Sequence, residues 1–168
     1  MEPAREAEIL QSLKAKFGVE GEVQRTRRVW VSIGKERLLE VSGWMKEQGF
    51  EHLSSISVTD WLGDGSYELT YHLWSPRDKM VVTLRTRTSR EDPSIASVMP
   101  VWDQNAWIHE RELHELFGVK FEGNPDLAPL FLEDWEGPAP FRKDFDWREY
   151  TREKYYKPEN EREHVYYE

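Results

Sequence analysis

Apolar residues in the first half of the chain recur at a spacing typical of amphipathic helices in two separate segments. The first segment ends at Gly18, and the second covers residues 35–48 and ends at Gly49. A glycine directly behind such a pattern is a common helix stop. The sequence therefore predicts two helices that each bury one face. Their predicted buried residues are Ile9, Leu10, Leu13, Phe17, Leu38, Val41 and Met45.

Between and after these helices, apolar and polar positions alternate with a period of two. This pattern predicts strands around residues 29–33 and 53–61. Two further alternating runs, at 67–73 and 80–86, are separated by turn-forming residues at 76–79. Such an arrangement predicts an antiparallel hairpin with one buried and one polar face.

A third helix is predicted after Pro100. Asp103 stands where its side chain could cap the first turn, and Trp102 and Trp107 are spaced as a hydrophobic staple. The predicted apolar stripe and stop of this helix are Ala106, His109, Leu113, Leu116, Phe117 and Gly118.

Together these elements predict an α+β fold of two layers, with helices on one face of a mixed, mostly antiparallel sheet. We assign this domain to residues 1–140 and an extended C-terminal arm to residues 141–168. The arm interleaves aromatic and charged residues, and tyrosine and tryptophan are favoured at protein interfaces. We therefore expect the arm to lie on a neighbouring subunit. Its aromatic residues after Asp146 are Trp147, Tyr150, Tyr155, Tyr156, Tyr166 and Tyr167.

Composition excludes several functional classes. The net charge of −9 disfavours binding to nucleic acid or anionic lipid, because both require a basic face. There is no apolar run of membrane-spanning length and no signal peptide at the start, so a cytoplasmic location is expected. Few Asn and Gln beside many charged residues are mildly typical of a thermophile.

No metal or catalytic constellation emerges from the residue pattern. The absence of cysteine excludes disulfides and cysteine-bound clusters. His109 and Glu110 resemble the start of a zinc-protease helix, but that motif needs a second histidine at position 113, which is Leu113. A free-standing metal-dependent hydrolase using this region is therefore kept only as a lesser alternative.

The charged residues of the third helix are interpreted as a solvated face in preference to an acid–base site. Its carboxylates are Glu110, Glu112 and Glu115, and Arg111 is spaced to pair with Glu115 one turn away. Docking of this face onto a partner is the other alternative. The strand arginines are likewise interpreted as solvated faces opposing acidic residues, in preference to an anion site. These are Arg25, Arg27, Arg28, Arg85, Arg87 and Arg90.

Four separated sequence blocks resemble the 30-kDa-type subunit of respiratory complex I and of related membrane-bound NiFe hydrogenases. They are Glu110-Arg111-Glu112, Leu116-Phe117-Gly118, the turn from Phe121 to Leu127, and Arg142-Lys143-Asp144-Phe145. The chain departs from the family pattern at Glu115, Asn124 and the segment 128–130. Its ending is more similar to the companion subunit of archaeal membrane-bound hydrogenases or their sulfur-reducing relatives.

The resemblance implies a cofactor-free assembly subunit in the peripheral arm of a membrane-bound redox complex, on the cytoplasmic side. The complex is expected to be an archaeal energy-converting NiFe hydrogenase that passes electrons from ferredoxin to protons. A sulfur-reducing or an NADH/quinone complex is the alternative. The implied partners are a large NiFe-hydrogenase-like subunit and an iron–sulfur small subunit. The implied interface residues are Glu110, Arg111, Glu112, Phe117, Gly118, Phe121, Gly123, Pro125, Asp126, Arg142, Lys143, Asp144, Trp147 and Tyr150.

Overall fold

The computed structural model describes residues 4–156, which form five α-helices, seven strands and two short 3-10 helices. In chain order these are α1 (Arg5–Phe17), β1 (Glu20–Arg25), β2 (Arg28–Ser32), a 3-10 turn (Lys35–Arg37), α2 (Leu38–Glu47), β3 (His52–Trp61), a 3-10 turn (Leu62–Asp64), β4 (Ser66–Ser75), β5 (Met80–Ser89), β6 (Ser94–Ala96), α3 (Met99–Trp102), α4 (Gln104–Phe117), β7 (Lys120–Glu122) and α5 (Trp147–Tyr155).

Five strands form one mixed sheet in the order β1-β2-β5-β4-β3. Only β2 and β5 run parallel within it, and the remaining pairs are antiparallel. The predicted β4–β5 hairpin is confirmed, with Tyr71 opposite Leu84. Every second side chain of β4, from Tyr67 to Leu73, is fully buried. The apolar faces of the helices share one core with this side of the sheet, so the predicted two-layer α+β fold is confirmed.

The edge strand β1 had no counterpart in the sequence prediction. Its side chains are almost all exposed, so its sequence carries no apolar alternation that could reveal a strand. Gly21 marks the point where α1 approaches β1 and β2 closely. A Cβ atom at this glycine would lie 2.5 Å from the carbonyl oxygen of Trp30 and 2.9 Å from Leu10.

The short parallel pair β6–β7 brackets the two helices α3 and α4. The proposed capping role of Asp103 is wrong, because its side chain makes no cap hydrogen bond. Asp103 has a φ of 49° and forms the break between the one-turn helix α3 and α4. The helical turn before α4 therefore replaces the simple helix start that the sequence suggested.

The C-terminal arm contains a helix that the sequence prediction missed. The Asp146 carboxylate accepts hydrogen bonds from the backbone N–H groups of Arg148 and Glu149, at 2.9 and 3.1 Å, and so caps α5. Asp146 with Glu149 three positions later is a helix-start signature that was available in the sequence. Tyr166 and Tyr167 lie outside the described residues.

The close approach at Gly21 generates a stability prediction with a built-in control. Gly21→Ala should destabilise the chain by about 1–3 kcal/mol, because the added methyl group overlaps backbone and Leu10 atoms. Gly43, inside α2, has no neighbouring atom within 4 Å of the position that an added methyl group would take. Gly43→Ala should therefore stabilise the chain by up to about 1 kcal/mol through its helix preference. Urea denaturation of both variants measures the two changes in the free energy of unfolding. If both variants changed stability in the same direction, the close packing described at β1 would be contradicted.

Candidate functional site

Helix α4 carries a carboxylate on its inner side that is fully buried. Glu110 accepts hydrogen bonds from the Ser97 hydroxyl (2.7 Å), the Val98 backbone N–H (2.8 Å) and the Asn124 side-chain amide (2.8 Å). These donors come from the segment before α3 and from the turn after β7. One carboxylate therefore fastens α4 to the chain on both sides of it.

The protonation behaviour of Glu110 reflects this environment. Burial raises the pKa of the Glu110 carboxyl, and the hydrogen bonds from Ser97, Val98 and Asn124 oppose that rise. A buried carboxylate with its acceptor positions occupied serves as a structural tie. The interpretation of Glu110 as part of a solvated helix face is wrong.

The outer side of α4 holds the loop 126–132 through a stripe of three residues. Trp107, Arg111 and Glu115 are four positions apart and so lie on the same side of the helix. Trp107 Nε1 donates to the Asp126 carbonyl (3.1 Å). Arg111 donates from Nε to the Ala128 carbonyl (2.9 Å) and from Nη2 to the Pro129 carbonyl (2.7 Å). Glu115 accepts from the backbone N–H groups of Leu130 (3.2 Å), Phe131 (3.0 Å) and Leu132 (2.7 Å).

This stripe corrects two further expectations. Glu115 accepts backbone N–H groups and is no part of a solvated face, and its pairing with Arg111 is not formed. Each of these two side chains instead binds the loop backbone. Arg111 also lies 4.6 Å from the centre of the Trp107 ring, where the cation and the aromatic face attract each other.

Arg142, Lys143 and Asp144 meet the sheet at a buried charge cluster. Arg90 at the end of β5 bonds the Asp60 carboxylate at 2.7 and 3.0 Å, and Asp144 at 2.9 Å. Asp60 also accepts the backbone N–H of Lys143 at 2.9 Å. Hydrogen bonds from Arg142 and then Arg90 hold the pKa of Asp144 far below its usual range. Arg90 is therefore buried and paired, not a solvated strand residue.

Aromatic contacts continue from this cluster into the arm. Phe117 packs edge-to-face between Tyr67 and Phe141, with ring centres 6.1 and 5.8 Å apart. Tyr150 packs against Trp135 at 5.0 Å. Tyr150, which the sequence assigns to an arm on a neighbouring subunit, therefore also packs within its own chain.

The sequence-derived interface set divides into supporting and exposed residues. Glu110 and Phe121 are buried within the chain, and Gly118 and Gly123 adopt positive φ angles that end α4 and β7. Trp147 keeps 57% of its surface exposed. The participation of these residues in a subunit interface stays a prediction.

Sequence reasoning missed the most exposed large apolar side chain among the described residues, Phe131 at 62%. It lies near the end of the loop 126–132, where Glu115 accepts its backbone N–H. The four-residue spacing of Trp107, Arg111 and Glu115 indicates that the three side chains share one side of the helix. It does not indicate that they bind the loop 126–132.

The described part of the chain offers no arrangement for metal catalysis. Within residues 4–156, no three histidine or carboxylate side chains converge on a point where they could share a metal ion. His109 lies 4.0 Å from Glu112, whereas the Glu110 carboxylate points into the core. Burial lowers the pKa of His109. The pair on which the hydrolase alternative depended therefore does not face one site.

Removing the Glu110 carboxylate should be costly. Glu110→Ala leaves two buried donors, the Ser97 hydroxyl and the Val98 N–H, without an acceptor. We expect a loss of about 2–6 kcal/mol, since each unsatisfied buried group costs about 1–3 kcal/mol. Glu112→Ala is the control, because its side chain is 40% exposed, and should change stability by less than about 0.5 kcal/mol. Denaturant titration distinguishes the two. A small effect at position 110 would show that the buried network is dispensable.

The raised pKa of Glu110 gives a pH dependence. A group with a raised pKa in the folded state adds stability that is complete below its unfolded pKa and is lost as pH rises through the folded value. The native chain should therefore gain stability relative to Glu110→Gln as pH falls through the acidic range towards 4.5, the ordinary pKa of a glutamate. Thermal unfolding across this range measures the difference, and an opposite slope would contradict the assigned burial.

Breaking the charge cluster at Asp60 should also destabilise the chain. Asp60→Ala removes the main partner of buried Arg90, which typically costs about 3–5 kcal/mol. Asp64→Ala removes an exposed partner of Arg87, 3.4 Å away, and should cost less than about 1 kcal/mol. Urea denaturation of both variants provides the comparison, and equal losses would count against the cluster.

Comparison with known proteins supports the resemblance carried by these motifs. Residues 31–151 match the family described as "Respiratory-chain NADH dehydrogenase, 30 Kd subunit". A subunit of the F(420)H(2) dehydrogenase of Methanosarcina mazei is 34% identical over 143 residues, which cover 82% of this chain and 90% of that protein. A subunit of the NADH-quinone oxidoreductase of Citrifermentans bemidjiense is 32% identical, covering 76% and 80% of the two chains.

Solved structures agree with the sequence matches. A chain of the membrane-bound sulfane sulfur reductase, an archaeal respiratory membrane complex, superposes with a TM-score of 0.82 at 32% identity, covering 91% of this chain and 92% of that one. A trypsin-resistant fragment of Nqo5 superposes with a TM-score of 0.63 at 30% identity, covering 72% and 98%. None of the helices within residues 4–156 is long and apolar enough to cross a bilayer. The chain belongs to the family of the 30-kDa subunit of respiratory-chain NADH dehydrogenase and is a subunit of a complex I-like respiratory complex.

Proposed function

We propose that this chain is a cofactor-free assembly subunit in the peripheral arm of an archaeal membrane-bound redox complex. In this role it docks onto a large subunit related to NiFe hydrogenases, beside an iron–sulfur small subunit, on the cytoplasmic face of the membrane. The complex couples ferredoxin oxidation to proton reduction. The chain itself supplies no electron carrier and no catalytic group.

The single observation that supports this proposal is what the side chains in and beside the Glu110 motif bind. Glu110 and Arg111, within the motif, and Glu115, beside it, bind the chain's own backbone and side chains. Two motif residues, Glu110 and Arg111, and the neighbouring Glu115 therefore shape this part of the chain. A shaped surface is what an assembly subunit requires.

The loop 126–132 is the part of that surface best suited to docking. Hydrogen bonds between side chains of α4 and the loop backbone fix the loop, so little conformational entropy is lost when a partner binds. Exposed aromatic side chains are typical anchors of protein interfaces. Phe131 projects from this loop, and Phe141, 59% exposed, follows close by in sequence.

A sulfur-reducing complex is the second candidate for the terminal reaction. The superposition with the sulfane sulfur reductase chain covers nine tenths of both chains and favours this alternative over an NADH/quinone complex. The terminal reaction belongs to the large subunit in either case. Assays of the purified complex for hydrogen evolution, sulfur reduction and quinone reduction separate the three activities.

Removing the loop's anchor should weaken assembly without unfolding the chain. Phe131→Ala should cost about 1–3 kcal/mol of docking free energy, in the range of an interface anchor. Leu62→Ala is the matched control, because Leu62 is 45% exposed in the turn after β3 and lies outside the loop 126–132. Arg111→Ala, which frees the loop backbone, and truncation after Asp146, which removes Trp147, should weaken assembly as well.

The measurement is co-purification of the complex from a host that expresses all subunits, beside circular dichroism of the isolated chain. We expect reduced recovery of the partners with Phe131→Ala, Arg111→Ala and the truncation. The two point variants should keep native-like spectra, whereas the truncation should lose only the helical signal of α5. Normal assembly of all three variants, combined with lost activity, would show that the assembly proposal is wrong and that the chain acts in the chemistry.

A further inference from the structure

The face of the sheet opposite the helices carries a broad concavity whose charge is opposite to that of the chain. The chain has a net charge of −9, yet three arginines line this concavity. Its lining crosses four neighbouring strands, from β1 through β2 and β5 to β4. The lining residues are Gln24, Arg25, Arg28, Trp30, Glu68, Thr70, His72, Thr83 and Arg85.

The three arginines have no anionic partner among the described residues. The side chains of Arg25, Arg28 and Arg85 form no ion pair or side-chain hydrogen bond within residues 4–156, and the Nε atom of Arg85 is buried without an acceptor. Glu68, the carboxylate in the lining, bonds instead to Arg87 at 3.3 Å. The expected opposition of strand arginines and acidic residues therefore holds for Arg87 but not for these three.

The arrangement is electrostatically unfavourable as it stands. Arg25 and Arg28 occupy directly opposite positions on β1 and β2, and like charges in that relation destabilise a sheet. Burial, and then the charge of Arg28, lower the pKa of His72 in the same concavity. An anionic partner would relieve the repulsion and give the Arg85 N–H an acceptor.

The dimensions and side chains favour a peptide over a small anion. Three inter-strand spacings make the lined width about 14 Å, which exceeds a single phosphate group. The Arg85 guanidinium lies 4.8 Å from the Trp30 ring centre, so the floor offers both a flat aromatic surface and hydrogen-bond donors. Guanidinium groups bind carboxylates through paired N–H donors.

We propose that this open sheet face binds an acidic segment of a neighbouring subunit, whose carboxylates pair with Arg25, Arg28 and Arg85. The inference rests on the proposed assembly role, because it requires a partner chain in the same complex. It adds a second docking surface, on the side of the sheet away from α4 and the loop 126–132. The partner is defined by its chemistry, a run rich in Asp and Glu.

Charge reversal tests this surface in the assembled complex. Arg28→Glu and Arg85→Glu should each lower the apparent affinity for the rest of the complex by about tenfold or more, because loss of a desolvated charge pair weakens an interface strongly. Lys14→Glu, on the exposed side of α1, makes the same change in net charge and should leave assembly unchanged. Recovery of tagged complex over a series of salt concentrations gives the comparison.

A photo-crosslinking residue at Gln24, on the exposed rim, identifies the occupant. The expected product is a cross-link to an acidic segment of another subunit, located by mass spectrometry. A cross-link to lipid, a cross-link to a segment without acidic residues, or normal assembly of both reversal variants would overturn the proposal. If Phe131→Ala weakens assembly while the reversals do not, this surface is refuted and the assembly role stands. If neither has an effect, both proposals fail.

Discussion

The buried carboxylate of Glu110 is the interaction on which the motif-bearing part of the structure depends. An ionised group in an apolar interior is tolerated only where donors replace its lost hydration. Here the donors come from Ser97, Val98 and Asn124, which lie on opposite sides of α4 in sequence. Because all three must converge on two oxygen atoms, α4, the segment before it and the turn after β7 can adopt one relative arrangement.

With that arrangement fixed, the opposite side of α4 becomes a rigid template. Glu115 and Arg111 receive and supply the hydrogen bonds of a loop that has no regular secondary structure of its own. Backbone groups in such a loop would otherwise be satisfied by water. Their pairing with a helix explains how the chain can present Phe131 to solvent without losing the shape of the loop.

Sequence patterns predicted the elements that bury side chains at a regular period. They missed the elements and contacts that depend on strand pairing or on residues distant in sequence. The β4–β5 hairpin was predicted from alternating apolar and polar residues, and apolar members such as Tyr67 and Leu84 are fully buried. Strand β1 is exposed and polar, so pairing with β2, not burial, makes it a strand. Glu110 was misjudged because charge on a helix usually indicates solvent, and no local pattern shows that Ser97 and Asn124 will meet it. The capping signature at Asp146 was present but unused.

The distribution of charge explains how an acidic chain can offer a cationic surface. Several of its carboxylates are withdrawn into internal contacts: Glu110 and Glu115 bind backbone groups, and Asp60 and Asp144 enclose Arg90. None of these acids pairs with Arg25 or Arg28, and these two arginines face each other without a counter-charge among residues 4–156. The arginine-lined sheet face is therefore electropositive although the chain is acidic. On the proposed assembly role, the loop 126–132 and the arginine-lined face lie on opposite sides of one sheet, so the rigid domain would hold two neighbours at a fixed separation.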